Sequence, residues 1–378
     1  TADNQGLIGR LGANGKVHDL TVTGSVITTG NTAGGIVGYA PAKTSVINCL
    51  NEADVTAKIC AAGVVGAARA SVANATAVKN APVIKNCGNT GTITATDAKS
   101  GNAGGIAAVN MQYQMFGGVF TDCINVGGVT ASKKAGGITV TTNAKKLADG
   151  GENYYLSGCL NGSGDTPIIG VEKTADELME MLKDRTDPVG KGLYEALKAQ
   201  KDQAAADAVI AKIDAIGTVT LDSKSAIDEA RKAYDNLTAA QQARVSNYAA
   251  LTAAETTYAK LAQDKADQDA ADAVIAKIDA IGVVSRAAKS RINAARKAYD
   301  GLTDAQKALV PASVVKTLTD AETAYSNLPP RHSSDDTADS TKPAQSSRTG
   351  DAGIAIYAAM SLLSVTGGAW VIGKKRKD

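Results

Sequence analysis

Histidine is nearly absent: 378 residues hold two, His18 and His332. Zinc sites need clustered Cys or His, so no metal centre and no cofactor is expected. Strong charge of one sign is also missing. The net charge is +2, and the one tight basic run is Lys374-Lys375-Arg376-Lys377. A phosphate-binding surface needs a concentrated basic patch, so nucleic acid is not an expected partner. Aromatics are scarce too. The first 171 residues contain Tyr39, Tyr113, Phe116, Phe120, Tyr154 and Tyr155, a thin supply for stacking sugars.

What the chain has instead is repetition. Cys49-Leu50-Asn51, Cys87-Gly88-Asn89, Cys123-Ile124-Asn125 and Cys159-Leu160-Asn161 are 38, 36 and 36 residues apart. An apolar residue stands three places before each cysteine: Val46, Ile84, Phe120 and Leu156. Glycine-led segments alternate with these units, as in Gly34-Gly35-Ile36, Ala62-Gly63-Val64, Gly104-Gly105-Ile106 and Gly136-Gly137-Ile138. A period of this length marks a repeat architecture, in which one copy buries too little apolar surface to stand alone. Residues 1–171 therefore read as a β-solenoid, most simply a parallel β-helix with about three strands per turn. Cys is expected to stack on Cys and Asn on Asn, the amides forming a ladder. The competing fold is an antiparallel β-sandwich, which would not explain identical residues at a common spacing. Val17 and Leu20 have the spacing of Val46 and Cys49, and the chain opens at Thr1 without Met or signal peptide. It is expected to start inside a longer coil, with catalytic or binding domains able to lie upstream.

Gly6-Leu7-Ile8-Gly9, Gly24-Ser25-Val26 and Gly34 to Gly38 resemble the GLUG-type repeats of Gram-positive surface proteins and of the non-catalytic part of some secreted proteases. The resemblance covers about the first 170 residues and implies architecture rather than activity. Five cysteines, Cys60 included, read as buried thiols. Stacked side chains point in parallel, which is poor disulfide geometry.

Composition changes sharply near residue 171: 28 of 38 glycines precede it and 57 of 78 charged residues follow it. That step is a domain boundary. Thr174-Ala175-Asp176-Glu177 is a capping box opening a helical connector over 172–201, which Pro188, Gly190 and Gly192 should interrupt before a new helix near Leu193. Asp207 to Gly217 then recurs unchanged as Asp272 to Gly282, and Ala230 to Asp235 as Ala295 to Asp300. Apolar residues at helical spacing, such as Val209, Ile210, Ile213 and Ile216, predict two three-helix bundles, 202–263 and 264–328. They look like the helical spacers of Gram-positive surface proteins. Asp207, Asp214, Asp228, Glu229 and Glu255 read as solvated helix charges paired with Lys and Arg.

Residues 329–348 form a polar linker. Next come Thr349-Gly350, 22 uncharged residues from Ala352 to Gly373, and the basic run Lys374 to Lys377. At about 1.5 Å per residue the apolar stretch is long enough to cross a hydrocarbon core of about 30 Å, with Trp370 near its end and the cations as a cytoplasmic stop-transfer. The layout resembles a sortase sorting signal, although Ser346-Ser347-Arg348 replace the usual Leu-Pro. The resemblance implies cleavage between Thr349 and Gly350 and transfer to peptidoglycan. A permanent membrane anchor is the alternative, and either places the preceding chain outside the cell.

Two functions fit. The first is a non-catalytic surface protein presenting the solenoid to an extracellular protein or glycan. The second is the non-catalytic part of a larger extracellular protease, or a polysaccharide-processing enzyme. Asp19, Asp54, Asp97, Asp122, Asp149 and Asp165 share no evident repeat position, so no acid–base pair stands out and no catalytic residue is assigned. Ala67–Ala81 and Val109–Gly118 lengthen the coil and should leave it as loops. In the second loop, Tyr113 and Phe116 are candidates for a partner contact or for packing back on their own turn.

Overall fold

The computed structural model describes residues 3–69, 80–108, 118–140, 148–149, 151–162 and 169–329. They belong to two compact units, Thr1–Ala211 with Ala233–Ser246, and Lys212–Lys232 with Asn247–Asp378.

The first unit begins as a coil of short parallel strands. One turn runs through Thr32–Gly34, Val37–Ala40, Ser45–Ile47, Leu50–Asn51 and Asp54–Ala57; the next runs through Cys60–Ala62, Val65–Ala68, Val83–Lys85, Gly88–Asn89 and Ile93–Ala95. From the first strand through the fourth turn each strand pairs in parallel with the strand five places on, and Tyr154–Leu156 then pairs with Val171–Lys173, giving five stacked sheets in place of an antiparallel sandwich. This arrangement is consistent with a β-solenoid. The turn has five strands rather than three, because strands of two to four residues are separated by tight corners that apolar patterning does not register. Like residues stack: Ala33 on Ala61 on Ala103 on Ala135, Val46 on Ile84 on Phe120, and Val55 on Ile93 on Val129. Val17 pairs with Val46, as its spacing predicts. The interior is narrow and aliphatic. Ile36, Val64, Ile106 and Ile138 are sealed from solvent beside Val46, Ile84 and Phe120.

The connector is more than a tether. Thr174 and Glu177 exchange capping bonds with each other's backbone and open the helix Ala175–Leu182. A second helix starts at Pro188 and runs unbroken to Asp214. Proline at a helix start costs little, since that N–H has no helical partner, and Gly190 and Gly192 are carried through by packing. A Cβ on Gly192 would lie 2.3 Å from Leu50 Cδ2. Leu178, Leu182, Val189, Leu193 and Leu197 bury themselves against Leu50, Ile124 and Val126 of the coil, each contributing about 1.5–3 kcal/mol. Gln200 Nε2 donates to the Val126 carbonyl at 3.2 Å, and Lys201 pairs with Asp176 at 2.6 Å.

In the second unit the helix Tyr248–Asp279 packs with Lys289–Asp300, Asp304–Leu309 and Ala312–Ser326 around Val274, Ile278, Ile281, Ile292, Ala295 and Leu318. Repetition extends to polar contacts. Arg231 grips Glu255 through Nε and Nη2 at 2.6 and 2.7 Å, and Arg296 grips Glu322 at the same two distances. The Arg231 guanidinium holds the Glu255 carboxyl below its ordinary range. Gly217 and Gly282, at φ of +58° and +60°, follow the ends of equivalent helices, where the left-handed conformation suits glycine. The positions 201/202 and 263/264, expected as boundaries, fall inside continuous helices. Among the described residues no helix is long and apolar enough to cross a membrane. The expected span 352–373 lies outside the described residues, as does the linker from residue 330.

Candidate functional site

Two side-chain columns organise the coil, one inside and one at a corner. Inside, Leu20, Cys49, Cys87 and Cys123 follow one another immediately before the paired strands that begin at Thr21, Leu50, Gly88 and Ile124. Each thiol donates to a carbonyl two residues back, Cys49 to Ile47 at 3.1 Å and Cys87 to Lys85 at 3.3 Å. Two residues further on lie Asn51, Asn89 and Asn125, all fully buried. Asn51 Nδ2 donates to Asn89 Oδ1 and Asn89 Nδ2 to Asn125 Oδ1, both at 2.7 Å. The same amides also donate to the carbonyls of Ala53, Gly91 and Gly127 at 2.7, 2.9 and 3.0 Å.

The ladder explains the second glycine of the glycine-led segments. A Cβ on Gly35, Gly63 or Gly105 would sit 2.0, 2.4 or 2.3 Å from an atom of Asn51, Asn89 or Asn125. At Gly137 it would meet the Tyr155 ring at 2.1 Å instead. The middle residue of each of the first three Cys-x-Asn units faces outward. Leu50, Gly88 and Ile124 form the surface on which the two helices dock.

The fourth unit does not join the ladder. Ile124 and Asn125 pair with Tyr154 and Tyr155, so Asn153 follows Cys123 and Tyr155 follows Asn125. Cys159, Leu160 and Asn161 enter the neighbouring sheet, where Leu160 pairs with Val129 and exposed Asn161 with Thr130. Leu156 pairs with Lys173 instead of extending the Val46 column. Asn153 replaces the cysteine chemically: its Oδ1 accepts from the Cys123 N–H at 3.0 Å and its Nδ2 donates to the Phe120 carbonyl at 2.9 Å. Cys159 still touches the ladder, its sulfur 3.5 Å from Asn125 Nδ2.

All five cysteines are free thiols. Burial pushes Cys60 up to about 12 and Cys159 up to about 11. Cys87 is raised by burial and then by its Cys123 and Cys49 neighbours, whereas the hydrogen bond from Cys87 lowers Cys49. Since the thiolate is the nucleophile, an alkylating reagent at neutral pH should modify half-exposed Cys159 first and reach Cys60 and Cys87 on unfolding. Peptide mass mapping checks the order, and Cys60 or Cys87 reacting as fast as Cys159 would overturn it.

The corner column comprises Asp19, Asn48, Asn86, Asp122 and Glu152, each at φ between +49° and +57° immediately before the inner column. Asp19 and Asp122 thus do share a repeat position, correcting the expectation from spacing. Their kinship was hidden because Asn occupies the rungs between them. Left-handed backbone tolerates Asn and Asp better than most residues, and these side chains also bond to one another. Asn48 donates to Asp19 at 2.9 Å and Asn86 to Asn48 at 3.0 Å. Asp19 is held below its usual range by Asn48 and then by His18. Arg185 reaches Asn86 from the docked helices, while holding Asp187 through two bonds of 2.8 Å. That pairing depresses Asp187 to about 2. Between the corner and the helices opens a cleft of about 410 Å³ lined by residues including Lys85, Asp122, Glu152, Tyr154 and Met181.

Tyr113, Phe116, Thr349, Gly350, Lys374, Lys375, Arg376 and Lys377 lie outside the described residues. No protein-family model, curated protein or solved structure matches the chain.

Proposed function

We propose that this chain is a non-catalytic cell-surface protein. It presents the coil for adhesion or ligand binding, on helical repeats that act as three-helix spacers, and is anchored through the sorting signal at Thr349-Gly350. The observation that carries the reading is the corner column. Asp19, Asn48, Asn86, Asp122 and Glu152 repeat at one corner of successive turns, so polar side chains recur at a strand spacing of about 4.8 Å along one line of the coil. Such a line suits a linear, repetitive partner. The partners of the anchor are sortase and peptidoglycan.

In the anchoring step a sortase thiolate attacks the Thr349 carbonyl, the Thr349–Gly350 peptide bond breaks, and the Gly350 amine leaves. A peptidoglycan amine then displaces the thiol. The apolar residues 352–373 and the cations 374–377 hold the substrate at the membrane meanwhile. Changing Thr349 and Gly350 together to Ala should shift the protein from the wall fraction to the membrane fraction, while the parent chain is released only by muralytic enzymes. Detergent extraction of the parent chain with Trp370 still attached would replace the sortase reading with a permanent membrane anchor.

A further inference from the structure

We propose that Arg10 and Arg69 form a binding site for the carboxylate of an acidic sugar. Arg10 stands opposite Tyr39 in the sheet, and Ala67 is its partner on the other side, two residues before Arg69. Both guanidiniums lie over the Tyr39 ring, 4.7 and 5.8 Å from its centre. These contacts fix the cations by cation–π attraction without neutralising them.

The pair lacks what three other arginines of the described residues have. Arg185, Arg231 and Arg296 each hold a carboxylate. Among the described residues Arg10 and Arg69 hold none, and Arg69 Nε is buried without an acceptor. A buried unpaired donor costs about 1–3 kcal/mol, and two cations over one ring repel each other. A single anion between the guanidiniums relieves the repulsion, and a planar carboxylate matches the guanidinium fork.

Shape narrows the ligand further. The guanidiniums border a cleft of about 380 Å³ walled by Leu11, Pro41 and Ala42, a size typical of small-ligand pockets, which run from about 300 to 1,000 Å³. The cleft is short, bounded by the segments 10–13 and 39–42 with Arg69, whereas an extended peptide that adds to a sheet runs along the length of a strand. A compact ring bearing a carboxylate fits better than an acidic peptide.

This inference supplies a ligand class for the binding role proposed above. It needs neither the anchor nor a surface location, so the two can fail separately. The purified 378-residue chain is titrated calorimetrically with digalacturonate, its neutral methyl ester, inorganic phosphate and a glutamate-rich peptide. Digalacturonate should bind saturably, and the ester, Arg69→Gln and Arg10→Gln should each weaken binding by at least about tenfold, as loss of a charge-assisted hydrogen bond does. Arg10 is exposed, so Arg10→Gln tests the site without threatening the fold. Equal binding of the ester, equal binding of phosphate, preference for the peptide, or no effect of Arg10→Gln would each overturn the proposal.

Discussion

Replacing Gly105 with valine should abolish the folded coil. A Cβ there would lie 2.1 Å from the Gly137 carbonyl oxygen and 2.3 Å from Asn125 Cγ, and neither can retreat. The first is backbone of the next turn, and the second belongs to an amide fixed on both sides. Overpacking that cannot relax belongs to the rare substitutions costing more than about 4 kcal/mol. The helical repeats provide an internal control: the strand contribution to the circular dichroism should vanish while the helical contribution persists. Gly128, with no atom within 4 Å of its Cβ direction, should accept alanine with a change of about 0.5 kcal/mol or less. A Gly105→Val protein with the parental strand signal and melting midpoint would show that the ladder does not close-pack on this glycine.

The second large effect is expected at Asn89. Its amide accepts from Asn51, donates to Asn125 and donates to the Gly91 carbonyl. Asn89→Ala therefore strands groups on three sides, and at about 1–3 kcal/mol for each buried unsatisfied group the loss should reach about 3 kcal/mol or more. Asn51→Ala removes a rung whose own Oδ1 is already buried without a partner, so it should cost less by about 1–2 kcal/mol. Both variants leave similar cavities, so their difference isolates the interior rung. The comparison is made on the denaturation midpoint of the strand signal alone, because a chain with independent units does not unfold in one step. Equal losses at the two positions would show that the amides act singly and not as a ladder.

Much of this was legible in the residues themselves. The Cys-x-Asn spacing located three rungs and the stacked Val46, Ile84 and Phe120, and the exact helical repeat located equivalent helices and glycine ends. The fourth rung misled because register depends on how many residues each turn consumes. Tyr154 and Tyr155 reach the column before Cys159 does. Apolar patterning also could not count strands, since a corner made by one left-handed residue leaves no gap in it. The outward docking surface had a signal that went unread: Leu50, Gly88 and Ile124 are apolar or absent side chains beside a buried asparagine, and an apolar outer face must be covered. The helix over Gly190 and Gly192 defied local propensity because tertiary packing against Leu50 outweighs a glycine penalty of about 1 kcal/mol.

The asparagine ladder has a direction. Every amide hands its proton toward the later turn, so three side-chain dipoles align, with a bare oxygen at Asn51 and a soft sulfur acceptor at Cys159 beyond Asn125. Such a stack is electrically polar, and its two ends are not interchangeable. A turn duplicated between Asn51 and Asn125 receives a donor on one side and an acceptor on the other, and repeats the same bonds. A turn added next to Val22 or Tyr155, which occupy the flanking rungs, meets a side chain that cannot continue the relay. The coil can therefore lengthen by copying its middle while keeping its ends, a rule of growth written in the orientation of three amides.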